Sequence, residues 1–156
     1  MSRRRAAKKR PVKLDIKYSD AYVTRLINSI MRNGKTETAR GIVYKAFAAV
    51  EKETNRNPVE VFKEALENVR PLMEVRSRRV GGATYPVPME VRLDRSESLG
   101  IRWIVKSVRK RIARTAQESL TKALLDSSKG LGDAMEERKK VHAMADANRA
   151  FVHFRW

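Results

Sequence analysis

The chain has 156 residues, 35 Lys and Arg against 18 Asp and Glu for a formal net charge of +17, and no cysteine. That length suits one domain that buries a core without disulfide or metal staples and argues against a multidomain enzyme, while the charge is a self-repulsion that calls for a polyanionic partner, nucleic acid or an anionic membrane. No apolar run approaches the roughly 18 residues of a membrane span, and Met1–Arg10 leads into Pro11, Lys13, Asp15 and Lys17 rather than a signal segment, so the expectation is a chain neither membrane-spanning nor secreted, in a reducing, cytosol-like compartment.

In chain order, residues 1–17 are basic, lack hydrophobic periodicity and contain Pro11, which predicts an arm that orders only on its partner. Residues 18–156 then read as a single helical domain. Tyr22, Val23, Leu26, Ile27, Ile30 and Met31 recur at helical spacing, entered through Ser19 or Asp20 and stopped by Asn33-Gly34. A second helix is expected from about Thr36 to Glu53 on Ile42, Val43, Ala46, Phe47 and Val50. Asn57, Pro58 and Glu60 open a third, which ends before Pro71. Three further capping boxes, Asp94 with Glu97, Thr115 with Glu118 and Asp133 with Glu136, predict helices over roughly 95–112, 116–129 and 134–150.

The stretch at about 72–91 breaks the helical pattern. Two short runs flank Gly81-Gly82, and the second alternates apolar side chains through Tyr85, Val87, Met89 and Val91, which predicts a two-stranded ribbon. Pro86 and Pro88 each remove a backbone donor, so this strand cannot lie within a larger sheet; an isolated ribbon is marginal in water, and another element must steady it. Alternation sends Arg76 and Arg78 to one face and Arg79 to the other, a shape that fits a nucleic-acid groove.

The charge is segregated. Residues 1–35 carry +9 and residues 70–115 carry +8, whereas 36–69 and 116–156 are nearly neutral. Such blocks point to patches that lie on something negative rather than to charge kept for solubility. On the fourth helix Arg95, Arg102, Lys106 and Arg109 form a basic track beside an apolar stripe of Ile101, Ile104, Val105, Val108 and Ile112. Trp103 sits on the flank of that track, placed either to stack on a base or to fill the core, and Lys110, Arg111 and Arg114 extend the charge.

Three motifs carry a resemblance: Gly34-Lys35 after the first helix; Glu74-Val75-Arg76-Ser77-Arg78-Arg79-Val80-Gly81-Gly82-Ala83 leading through Pro86-Val87-Pro88 to Glu90-Val91; and Arg102-Trp103 with the ending Met144-Ala145-Asp146-Ala147-Asn148-Arg149-Ala150-Phe151. The chain resembles the bacterial small-subunit ribosomal protein seven family along its whole length. The resemblance implies an all-α domain of six helices in a bundle-like arrangement with one protruding antiparallel β-ribbon. It implies direct binding to the 3′ major domain of 16S ribosomal RNA and organisation of the subunit head among the other head proteins. It also implies a contact with small-subunit protein eleven, exit-site tRNA and mRNA nearby, and a place in a cytoplasmic or organellar ribosome. On that reading the RNA-binding candidates are Arg3, Arg4, Arg5, Lys8, Lys9 and Arg10 on the arm, Arg32 and Lys35 after the first helix, and Arg76, Arg78 and Arg79 beside the turn glycines Gly81 and Gly82. Arg92, Arg95, Arg102, Trp103, Lys106, Arg109, Lys110, Arg111 and Arg114 join them, and Arg149 and Arg155 face tRNA or a partner. Two positions depart from the pattern. Thr36 replaces a second basic residue after Gly-Lys, and Ile112 replaces a Pro, so helix four is expected to run on.

Other classes fit less well. His142 and His153 are the only histidines, with Asp146 four residues from the first, and no carboxylate placement makes them a metal or catalytic site. Gly81-Gly82 belongs to a hairpin and not to a phosphate loop, so no cofactor or small-molecule substrate is expected. A helical DNA-binding regulator would suit the composition, but cations spread over arm, ribbon and helix fit irregular folded RNA better than one recognition helix does. A membrane-surface protein would need an exposed Trp, Phe and Leu face beside its cations, and the sequence has none.

Overall fold

The computed structural model describes residues 11–154. Within them α1 (Ala21–Ile30), α2 (Thr36–Thr54) and α3 (Pro58–Val69) precede a two-stranded sheet of β1 (Met73–Val80) and β2 (Ala83–Glu90). α4 (Leu93–Lys110), α5 (Ala116–Ser128), α6 (Asp133–Ala147) and a terminal 3₁₀ turn (Arg149–Phe154) follow. The mainly helical fold with one antiparallel ribbon matches the expectation from sequence.

Several starts and stops follow the predicted chemistry. The Asp20 carboxylate accepts the Tyr22 N–H, Asn57 accepts the N–H of Val59 ahead of Pro58, and Thr115 accepts the N–H of Glu118. Two expected capping boxes do not form. α4 is entered at Arg92 with no side-chain cap, so Asp94 lies inside its first turn and Glu97 turns away toward α1. α6 is entered at Gly132, and Asp133 spends its carboxylate on Lys110. Both acids still sit where a helix N-terminus favours negative charge. α4 also stops sooner than expected: Arg111 turns extended (φ −70°, ψ 129°) and Ile112 is fully exposed. The predicted last helix over 134–150 breaks at Asn148, so His142 and His153 do not share a helix face.

The core gathers Phe47, Phe62, Leu26, Ile104, Leu120 and Leu124 with valines from α1, α2 and α3, all fully buried. α5 is central and packs on α2, α3 and α4. Asp15, expected on an arm without contacts to the body, is instead buried: its carboxylate accepts the Tyr44 hydroxyl at 2.9 Å and the N–H groups of Lys17 and Tyr18.

The ribbon turns through Gly81 (φ +57°) and Gly82 (φ +90°), the pair of positive φ angles that a primed two-residue hairpin requires and glycine supplies without strain. Its register sets Arg76 opposite Val87, Arg78 opposite Tyr85 and Arg79 opposite Thr84. β1 lies against α6 and β2 against the terminal turn, the support that the sequence called for.

Candidate nucleic-acid interface

α4 is the spine of the basic surface. Arg95 near its start binds Glu74 of β1 (Nε–Oε2 2.8 Å), and Arg109 near its end donates to the Ser29 carbonyl of α1 at 3.1 Å. The fourteen residue steps from one to the other span about 21 Å, so one rigid helix links the ribbon to the end of α1, where Arg32 and Lys35 stand exposed in the following turn. Between α4 and α1 runs an open groove of about 550 Å³ lined by Ser29, Ser98, Ile101, Arg102, Val105, Lys106 and Arg109. Arg102, Lys106 and Arg109, predicted as a track, are thereby brought together along it.

Not all of the predicted cations stand clear of the protein's own acids. Lys106 pairs with Glu137 of α6 (2.7 Å), Lys110 with Asp133 (3.0 Å) and Arg111 with Asp126 (2.6 Å). Lys106 holds the Glu137 carboxyl below its ordinary range, and Asp133 raises the Lys110 ammonium above its own. Arg32, Lys35, Arg79, Arg92, Arg102 and Arg114 are exposed without a carboxylate partner among the described residues. Trp103 is partly buried against the core and borders the cleft between α4 and α6.

On the ribbon, the face of Glu74, Arg76 and Arg78 is shared with Met89, Val87 and Tyr85. Glu74 and Val87 on it are buried, while Arg76 is exposed. Arg76 reaches along this face to Glu74 (Nε–Oε1 2.6 Å). Burial pushes the Glu74 carboxyl up, but hydrogen bonds from Arg95 and Arg76 outweigh it and leave the group below the ordinary carboxylate range. Arg79, on the other face beside the turn, is exposed. Arg149 is exposed at the start of the terminal turn, while Arg3, Arg4, Arg5, Lys8, Lys9, Arg10 and Arg155 lie outside the described residues. Sequence reading missed Ser29 and Ser98, whose place in the groove depends on how α1 crosses α4, something no local pattern encodes.

The family profile described as Ribosomal protein S7p/S5e matches residues 2–149. The chain belongs to this family. It is 53% identical to the small ribosomal subunit protein uS7 of Methylobacterium radiotolerans, 52% to that of Bradyrhizobium diazoefficiens and 51% to that of Rhodospirillum rubrum, each over the full length of both chains. Members of the family are structural proteins of the ribosome, and the chain is accordingly a structural constituent and not an enzyme. The groove, the α1–α2 turn and the outer ribbon face each present exposed cations. Among the described residues no helix is long and apolar enough to cross a membrane.

Proposed function

We propose that the chain serves in the small ribosomal subunit as a primary binder of the 3′ major domain of 16S ribosomal RNA, organising the subunit head. The observation that carries this reading is the alignment of cations on one rigid helix, from the ribbon base to the α1–α2 turn, in a member of a ribosomal family. The residues at work are Arg32, Lys35, Arg79, Arg92, Arg102 and Arg114, with Arg109 beside them in the groove, and the basic residues among 3–10 add further cations. They neutralise phosphates that repel one another where RNA helices converge, and the six-helix body fixes the angle at which those helices meet. The C-terminal segment with Arg149 and Arg155 faces a second partner, small-subunit protein eleven or the exit-site tRNA near the messenger path.

Chemical footprinting of full-length 16S RNA with the purified protein tests this. Protections are expected to cluster in the 3′ major domain and to survive competition by excess duplex DNA. Protections scattered over other domains, or erased by the DNA, would replace this reading with general polyanion binding or with a helical DNA-binding regulator.

A further inference from the structure

We propose that Tyr85, Phe151 and Phe154 form an aromatic staple by which the terminal 3₁₀ turn positions the outer half of the ribbon for RNA; the RNA part of this inference rests on the function proposed above. Tyr85 of β2 lies 5.5 Å from Phe151 and 5.0 Å from Phe154, ring centre to ring centre, and the two phenylalanine rings are near parallel at 6.5 Å. Their spacing of three residues is one full turn of a 3₁₀ helix, so both rings leave the same side of the turn.

The ribbon needs this contact. Beside the packing of β1 on α6, polar contacts hold its base: Arg95 on Glu74, the Leu72 N–H donating to His142 Nε2 at 3.1 Å, and the Ser96 hydroxyl donating to the Pro71 carbonyl at 2.7 Å. Above them Pro86 and Pro88, opposite Ser77 and Val75, occupy non-hydrogen-bonded positions whose nitrogens face away from β1, so they leave the ladder intact but bar a third strand from the outer edge of β2, and a two-stranded ribbon has little stability of its own. Tyr85, opposite Arg78 and three residues from Gly82, is where the staple holds the outer half of this unsupported ribbon. The terminal turn has no buried residue and stands apart from the hydrophobic core, so its rings do little for the body of the protein. A ribbon held before binding loses less conformational freedom when RNA arrives, and this raises affinity without any new charge.

The test uses the full chain with Phe151→Ala and Phe154→Ala together, and separately Tyr85→Ala. It reads hydrogen exchange of the β1 amides in the free protein and affinity for a 3′-domain RNA fragment across a salt series. Both variants are expected to keep the melting temperature of the helical body while β1 exchanges roughly tenfold faster or more. Affinity should fall about tenfold at every salt concentration with the slope of log K against log salt unchanged, because no cation is lost. Combining all three substitutions should cost no more than either variant, and Phe151→Tyr with Phe154→Tyr should restore both readouts. Unchanged exchange and affinity would overturn the proposal, as would weaker binding with unchanged exchange, which would mean that the rings touch RNA themselves. If the phenylalanine variant does not fold, Tyr85→Ala alone decides. If the unaltered chain binds with almost no salt dependence, the RNA reading fails, while exchange in the free protein still decides whether the staple holds the ribbon.

Discussion

At the scale of single residues, the buried polar groups decide where the folded body begins and how the ribbon responds to acid. Asp15 satisfies the Tyr44 hydroxyl and two backbone N–H groups, so Asp15→Ala leaves three donors without their acceptor and should cost about 1–3 kcal/mol of stability in a denaturant titration. An Asp15→Ala midpoint equal to that of the unaltered chain would show that the body starts later in the sequence. At the ribbon base, burial and the charge of Arg138 hold the His142 imidazole below its ordinary value of 6.5, against a weaker upward pull from Asp146. A depressed folded-state value means the neutral form is favoured in the fold. Its stabilisation is therefore complete above 6.5 and is lost as pH falls through the lower folded value, when protonated Nε2 can no longer accept the Leu72 N–H. Glu74 is likewise depressed, so its anchoring through Arg95 and Arg76 is complete above 4.5 and is lost only in stronger acid. Amide exchange of β1, after correction for intrinsic rates, should accelerate in two stages on acidification, the first abolished by His142→Gln. A single stage that ignores this substitution would contradict the assignment.

At the scale of elements, the sequence specified helices and ribbon well, because periodicity and caps are local. α3, for example, follows from Asn57 and Pro58 alone. Local signals misled where a long-range partner claimed the side chain. Glu97 is engaged by Arg25 (2.6 Å) and the Tyr22 hydroxyl (2.7 Å), more than seventy residues away, and Asp133 by Lys110. The same limit blurred the interface: the cations of α4 could be found from their spacing, but the acids of α6 that answer Lys106 and Lys110 could not. Those acids compete with phosphate for the two lysines. Asp133→Asn with Glu137→Gln should therefore tighten RNA binding by roughly threefold to tenfold at low salt and by less at high salt, where screening weakens the competition. Weaker binding with an intact fold would mean that the pairs hold α4 and α6 in the orientation RNA requires.

At the scale of the whole molecule, the protein is a rigid helical body that carries its excess charge in two blocks and presents part of it along one line. Sequence alone revealed the blocks; the fold joins them, because α4 runs from the ribbon base to the turn that holds Arg32 and Lys35. The number of phosphates engaged at once follows from that geometry and tests the central claim most directly. Affinity for a 3′-domain RNA fragment should be measured across a salt series. With about six exposed cations on phosphate, log K should fall against log salt with a slope near −5, and Arg79→Gln with Arg102→Gln, which removes no ion pair among the described residues, should reduce its magnitude by about two. A slope near −1, or one that these substitutions leave unchanged, would contradict a binding surface spanning ribbon, helix and turn.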